Sequence, residues 1–159
     1  MEITIRAAVP ADAGAIAANN RAIALETEEW EISPETALSG VRAILEEPGR
    51  GFYLVAVDGD GAVVGQCMVT YEWSDWRSGD FWWVQSVYVR PNCRRQGIFA
   101  RLYRTIEAMA ETRPDVTGLR LYVEAGNATA QAAYERLGMR RAPYILLERD
   151  FAKERIGRT

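Results

Sequence analysis

The stretch that most constrains this chain runs from Phe81 to Ala110, passing from an apolar strand through an arginine-rich loop into an amphipathic helix. Residues 81–89, FWWVQSVYV, are apolar at odd and even positions alike, which predicts a central strand covered on both faces. Arg90-Pro91 interrupts it. Gly97 then introduces a helix with Phe99, Leu102, Tyr103, Ile106 and Met109 along one side. The loop and first helical turns carry Arg90, Arg94, Arg95, Arg101 and Arg104 and no acid, although the chain as a whole has a net charge of −3. A helix N-terminus already offers unsatisfied N–H groups and the positive end of a dipole. Concentrating arginines there, beside a glycine that admits close approach to the backbone, suits a pyrophosphate cradle. A solvated basic loop ahead of an amphipathic helix explains the same residues without a ligand.

The rest of the chain reads as alternating elements. Ile3 and Ile5 mark a first strand, and Pro10 and Asp12 open a helix with Ala13, Ile16, Ala17, Ile23 and Ala24 near helical spacing. Ser33-Pro34-Glu35 combines a capping hydroxyl, a first-turn proline and an acid at the positive helix end, and that helix stops near Pro48-Gly49. Residues 52–57 form a strand, Asp58-Gly59-Asp60-Gly61 a tight turn, and a further strand starts at Ala62. Leu119, Leu121 and Val123 alternate as another strand. Ala130, Ala133, Tyr134 and Leu137 mark a helix ended by Gly138, and residues 144–147 return a last strand. The order β-α-α-β-β-β-α-β-α-β predicts an α/β fold with a mixed, mostly antiparallel sheet, and 159 residues suit one domain over 1–159.

Several functions are excluded by what is missing. The chain has no histidine, so Ser-His-Asp and Cys-His nucleophiles are absent and a transition-metal site is not expected. Proton transfer must fall to Glu, Asp, Tyr, Lys, Cys or water. The acidic balance argues against nucleic acid as a partner, and no apolar run reaches the roughly 20 residues of a membrane span. The N-terminal sequence has no basic-then-apolar leader pattern. Cys67 and Cys93 make no disulfide framework, so a cytoplasmic setting is expected.

Two motifs carry a resemblance. Arg94-Arg95-Gln96-Gly97-Ile98, after VYVRP, is similar to the acyl-CoA signature Gln/Arg-x-x-Gly-x-Gly/Ala of the GNAT superfamily of N-acetyltransferases, with Phe99 where the family has Gly or Ala. Downstream, Asn127, Ala130, Tyr134, Gly138 and Met139 resemble the family's Asn-x-x-Ala-x-x-x-Tyr-x-x-x-Gly-Phe segment, with Met139 in place of Phe. The resemblance implies a sheet splayed at an acyl-CoA site and acetyl-CoA as donor. It implies that Arg94, Arg95 and the backbone of Gln96, Gly97, Ile98, Phe99 and Ala100 hold the pyrophosphate. Val87, Tyr88 and Val89 would pair with the pantetheine arm as an added strand would. Asn127 would cap its helix or touch the coenzyme, and Tyr134 would protonate the departing thiolate.

Acetyl transfer to an amine needs a neutral nucleophile and a home for the oxyanion, the latter met by a strand N–H near Val87. Many family members place a glutamate base on the central strand, where this chain has Gln85, which cannot take a proton near neutral pH. Glu124 and Glu72 are the replacement candidates. Tyr71, Trp73, Trp76, Phe81, Trp82 and Trp83 crowd the region around Glu72. They form either an acceptor box, with Trp73, Trp83 and Gln85 as contacts, or an ordinary packed hairpin. Trp30 sits among Glu26, Glu28, Glu29 and Glu31, which favour a cationic amine or form a plain acidic loop. Three functions remain open at this stage: a small-molecule N-acetyltransferase, a protein or peptide acetyltransferase, and a silent acyl-CoA-binding sensor. The aromatic hairpin and last strand could also support a homodimer.

Overall fold

The computed structural model describes residues 1–152, and the chain divides into two compact units, Met1–Tyr122 and the segment from Val123 onward. The first contains β1 (Thr4–Ala7), α1 (Ala13–Glu28), α2 (Pro34–Glu46), β2 (Gly51–Val57), β3 (Val63–Ser74), β4 (Gly79–Val89), α3 (Ile98–Glu111) and β5 (Val116–Leu121). The second contains α4 (Ala128–Arg136). The sheet order is β1-β2-β3-β4-β5, with antiparallel ladders from β1 to β4 and a parallel β4–β5 ladder. The expected mixed, mostly antiparallel α/β architecture is therefore present.

Local signals formed as the residues require. Ser33 accepts from the Thr36 N–H at 3.1 Å with Pro34 opening α2, and Asp58 closes its turn by accepting from the Asp60 and Ala62 amides. Strand alternation then sorts side chains to two faces. On one, Leu54, Ala56, Val64, Cys67, Val69, Trp82 and Val84 pack with Ile98, Leu102 and Ile106 of α3. On the other, Tyr53, Val55 and Val57 pack with Ile16 and Ala17 of α1 and Val41 of α2. Both cysteines are buried and free, and burial pushes the Cys67 thiol up to about 12, which leaves no thiolate for chemistry near neutral pH.

Three expectations need correction. Residues 144–147 form no strand: Tyr144, Ile145, Leu146 and Leu147 are exposed, and no sheet ladder reaches them. Apolar character makes a strand only where the backbone finds a paired neighbour, and these residues have none in a ladder. Support for a homodimer from a last strand goes with it. β5 stops at Leu121, so Val123 and Glu124 lie outside the strand, just ahead of the Ala125-Gly126 turn. β4 is fully buried only at Gly79, Trp82, Val84 and Tyr88, and its other residues are partly exposed. Among the described residues, no helix is long and apolar enough to cross a membrane.

A partly buried ion pair ties the N-terminal strand to the residue that precedes α1. Arg6 makes two bonds to Asp12, at 2.7 and 3.0 Å, and Asp12 also accepts from the Val9 amide at 2.8 Å. The Arg6 guanidinium holds the Asp12 carboxyl below the usual carboxylate range. A depressed folded value stabilises the protein above the unfolded carboxylate pKa of about 4, and that contribution disappears as pH falls through the folded value. Asp12→Asn should therefore cost about 2 kcal/mol at pH 7. The gap to wild type should shrink at pH 3 and below, as read by urea unfolding at both pH values.

Candidate active site

β4 outruns its parallel neighbour. The β4–β5 ladder ends at Val84 opposite Leu121, so residues 85–89 continue past it with their β5-side edge outside the ladder. The β3 side of the same stretch carries a bulge. Gln66 pairs with Tyr88 and Met68 with Gln85, so Ser86 and Val87 together face Cys67. Ser86 has φ +50°, a left-handed conformation costing a non-glycine residue about 1–3 kcal/mol. The bulge also exchanges faces. Trp83 and Gln85 look toward the α1 side of the sheet, whereas Val87 and Val89 pack with the α3 cluster.

The loop after β4 delivers the chain to α3. Gly97 caps the helix with φ +74°, and a Cβ there would meet no atom within 4 Å. The first helical bond is Arg101 N–H to Gly97 carbonyl at 3.0 Å, so the Gly97, Ile98 and Ala100 amides have no carbonyl one turn back to receive them. The Ile98 side chain is buried in the core and leaves only its backbone for a ligand. The arginines divide. Arg101 donates to the Ile3 carbonyl at 2.7 Å and Arg104 pairs with Glu107 at 2.6 Å, which makes both structural. Arg94 donates to the Val89 carbonyl at 2.8 Å, pairs with Glu26 of α1 at 2.9 Å and lies over the Tyr88 ring. Arg95 is exposed with φ +62°, and Gln96 bonds the Asn92 carbonyl at 3.5 Å.

The aromatic hairpin splits by parity. Trp82 is buried against Phe52 on the α3 side, while Trp83 stacks with Tyr122 at 4.5 Å on the other. Beside Trp83 lie Glu72, Arg120, Thr70 and Gln85. Trp83 Nε1 and Arg120 both donate to Glu72 Oε2, at 2.9 and 2.8 Å, and Gln85 donates to Thr70 Oγ1 at 2.5 Å. The Trp83 bond, and after it Arg120, holds the Glu72 carboxyl below its ordinary value, which weakens it as a proton acceptor. Trp73 and Trp76 are largely exposed, as is Trp30, whose amide bonds the Ala24 carbonyl at the end of α1.

In the second unit, Asn127 caps α4, its Oδ1 accepting from the Ala130 amide at 3.0 Å, and Gly138 follows the helix with φ +97°. Tyr134 is half-buried on α4, and Glu124 is exposed, its carbonyl accepting from Gln131. Among the described residues there is no cluster of Cys, Asp and Glu fit to hold a metal ion.

The sequence model of the acetyltransferase (GNAT) family matches residues 17–139, from within α1 through α3 to Met139. The chain belongs to the GNAT acetyltransferase family. Solved structures agree with this GNAT membership. A possible acetyltransferase from Clostridium difficile 630 is 41% identical, with a TM-score of 0.87 over 94% of this chain and 98% of that one. A predicted acetyltransferase with acetyl-CoA from Clostridium acetobutylicum is 12% identical, with a TM-score of 0.76 over 93% and 96%. Glucosamine-6-phosphate N-acetyltransferase from Arabidopsis thaliana is 15% identical, with a TM-score of 0.74 over 95% and 99%; at these identities the last two speak for the fold alone. No curated protein matches the sequence.

Within this GNAT chain, sequence reasoning missed Thr70, Arg120 and Tyr122, which complete the polar row around Trp83. Arg120 lies on β5, whose alternation was read for its apolar positions alone, and Tyr122 directly follows that strand; only sheet register sets Arg120 opposite Trp83. The left-handed Ser86 also carried no signal, since serine has no special licence for positive φ.

Proposed function

We propose that this chain is an acetyl-CoA-dependent N-acetyltransferase that delivers acetyl to a small-molecule amine by direct attack on the thioester. The observation that carries the reading is the free edge of β4 running into the left-handed Gly97 at the start of α3. An extended arm bearing amides can add to a strand edge, and a pyrophosphate can sit on helix-terminal N–H groups. The Gly97 backbone leaves room for it. Val87, Tyr88 and Val89 would hold the arm, and Arg95, Gln96, Gly97, Ile98, Phe99 and Ala100 the phosphates, with Arg94 joining by giving up Glu26. The reading takes 1–159 as one acetyltransferase domain, supported by a family match that runs through both units.

In the reaction, the neutral amine nitrogen bonds to the acetyl carbon and the carbonyl oxygen becomes an oxyanion facing a β4 amide near Val87. The C–S bond then breaks, and Tyr134 gives its proton to the thiolate. The amine proton passes to a carboxylate, directly or through water. Glu124 is our first choice, because Trp83 and Arg120 already engage Glu72. Trp30, Trp73, Trp83 and Gln85 would wall the acceptor. Glu28, Glu29 and Glu31 would draw a cationic amine, joined by Glu26 once Arg94 turns to the phosphates.

A silent acyl-CoA sensor is the second reading, favoured by Gln85 bonded to Thr70 and by Glu72 held as an ion pair. Thiol release from acetyl-CoA against an amine panel separates the two. The expected result is turnover with at least one amine and about a hundredfold lower kcat in Tyr134→Phe, within the usual range for losing a general acid. Acetyl-CoA binding without thiol release from any amine would favour the sensor.

A further inference from the structure

The polar row around Trp83 is held more firmly than a partly exposed sheet face requires. Thr70 pairs with Trp83 and Glu72 with Phe81 across β3 and β4, and Trp83 stands beside Arg120 of β5, so these side chains share a face. All of them are partly or wholly exposed. Arg120 is the centre of the row. Its guanidinium rests on the Phe81 ring, 3.6 Å from the centroid, and Nη1 donates to Glu72 Oε2 at 2.8 Å. Trp83 Nε1 fixes the same oxygen from β4 at 2.9 Å, and its ring stacks with Tyr122 at 4.5 Å. Gly118, opposite Phe81, leaves room for this seat, because a Cβ there would lie 2.9 Å from Phe81 Cε1.

An exposed ion pair contributes little to stability, and side-chain entropy opposes holding it in one geometry. What the arrangement supplies is an immobilised fork. A guanidinium carries five N–H donors and Glu72 takes one, so an edge of Arg120 stays available to a planar anion. The Arg120 and Glu72 side chains are 29% and 44% exposed, within reach of a ligand. Charge also favours an anion. Arg77 meets the Phe81 ring as well, at 5.0 Å, so that ring carries two guanidiniums while the row contributes one carboxylate, Glu72. That excess of one positive charge matches a carboxylate better than a phosphate dianion. We propose that Arg120 is a specificity-determining residue of the acceptor site, and that the acceptor is a small amine carrying a carboxylate at its far end. The proposal deepens the acetyltransferase reading above and rests on it for the fate of the amine. Val87 lies four residues beyond Trp83 on β4, about 13 Å at the rise of an extended strand and less across the bulge. An acceptor spanning that interval sets its carboxylate on Arg120, its hydrocarbon chain across Trp83 and its amine near Val87. Glu72 then keeps the fork in place and takes no proton.

The test titrates the full chain with the ω-amino acids from β-alanine to 8-aminooctanoate, with alkylamines of matching length that lack the carboxylate, and with 3-aminopropyl phosphate. NMR signals of the Arg120 Nε–H and the Trp83 Nε1–H report occupancy of the row whether or not acetyl is transferred. At least one acid should shift both signals and bind about tenfold more tightly than its alkylamine, and Arg120→Gln should remove that preference. Arg120→Lys keeps the charge without the fork, so it should retain only part of the preference, and it answers the question even if Arg120→Gln does not fold. Thiol release from acetyl-CoA should show the same preference in KM, with kcat changing less than KM in both variants. Acids that bind no more tightly than their alkylamines would overturn the proposal, as would a preference that survives intact in both variants. Tighter binding of 3-aminopropyl phosphate than of 4-aminobutyrate would overturn the choice of carboxylate. A carboxylate preference that depends on Arg120, in a protein that releases no thiol with any amine, would keep the subsite and sink the acetyltransferase reading.

Discussion

Replacing Gly97 by glutamate should abolish acetyl-CoA binding while leaving the protein folded. The new side chain has space, since a Cβ at this position meets nothing within 4 Å. Backbone strain at φ +74° costs an L-residue about 1–2 kcal/mol, tolerable for a domain with a stability of about 5–15 kcal/mol. The carboxylate, however, would stand over the α3 amides that the pyrophosphate is proposed to use, and it would repel the phosphates. Calorimetry should show at least a hundredfold rise in Kd, about 3 kcal/mol. Gly97→Asn is the control: asparagine tolerates the left-handed region and is uncharged, so binding should stay within about tenfold of wild type. Wild-type affinity in Gly97→Glu would place the phosphates elsewhere.

The largest loss of stability is expected from Gly51→Ala, a single methyl group far from the cradle. Gly51 opens β2 opposite Thr70 with φ +153°, where only glycine is comfortable. A Cβ would collide with the Val69 carbonyl oxygen and lie 3.1 Å from its carbon and 3.3 Å from Thr70 Cα. These are backbone atoms inside a paired ladder, so no side chain can rotate away. Either β2 separates from β3 at that end or the strand start rebuilds. The expected cost is at least about 3 kcal/mol, a fall in Tm of about 6–12 °C for a domain of this size. Gly14→Ala, on an exposed turn of α1 where a Cβ meets nothing, should be neutral or slightly stabilising. A melt that leaves Gly51→Ala at the wild-type Tm would show that the strand end yields without cost.

Whatever depends on near neighbours was legible in the sequence. Ser33 caps α2, Asp58 closes its turn, Asn127 caps α4, and Gly97 and Gly138 take positive φ, because each conformation is chosen by residues a few positions apart. The amphipathic period of α3 likewise named Leu102 and Ile106 as core. Side-chain partners across the sheet were not legible. Glu72 was a candidate base from its place in the chain, but Arg120 reaches it from β5 and Trp83 from β4. Arg94 was assigned to phosphate, and it also pairs with Glu26 from α1. Gln66 drew no reading from the sequence, and its partners lie on α1.

The strand reading of residues 144–147 failed for a related reason: β-branched and aromatic side chains suit a strand, but the hydrogen bonds that make one come from a neighbouring chain segment. The sequence by itself determined the order of elements as far as α4, the family and the glycine-started helix, since periodicity, caps and turns are properties of contiguous residues. The tertiary structure alone decided that β4 outruns β5, that Ser86 is bent into the left-handed region, and which charges are already paired. Register and long-range hydrogen bonds join residues dozens of positions apart, and no local pattern encodes which of them will meet.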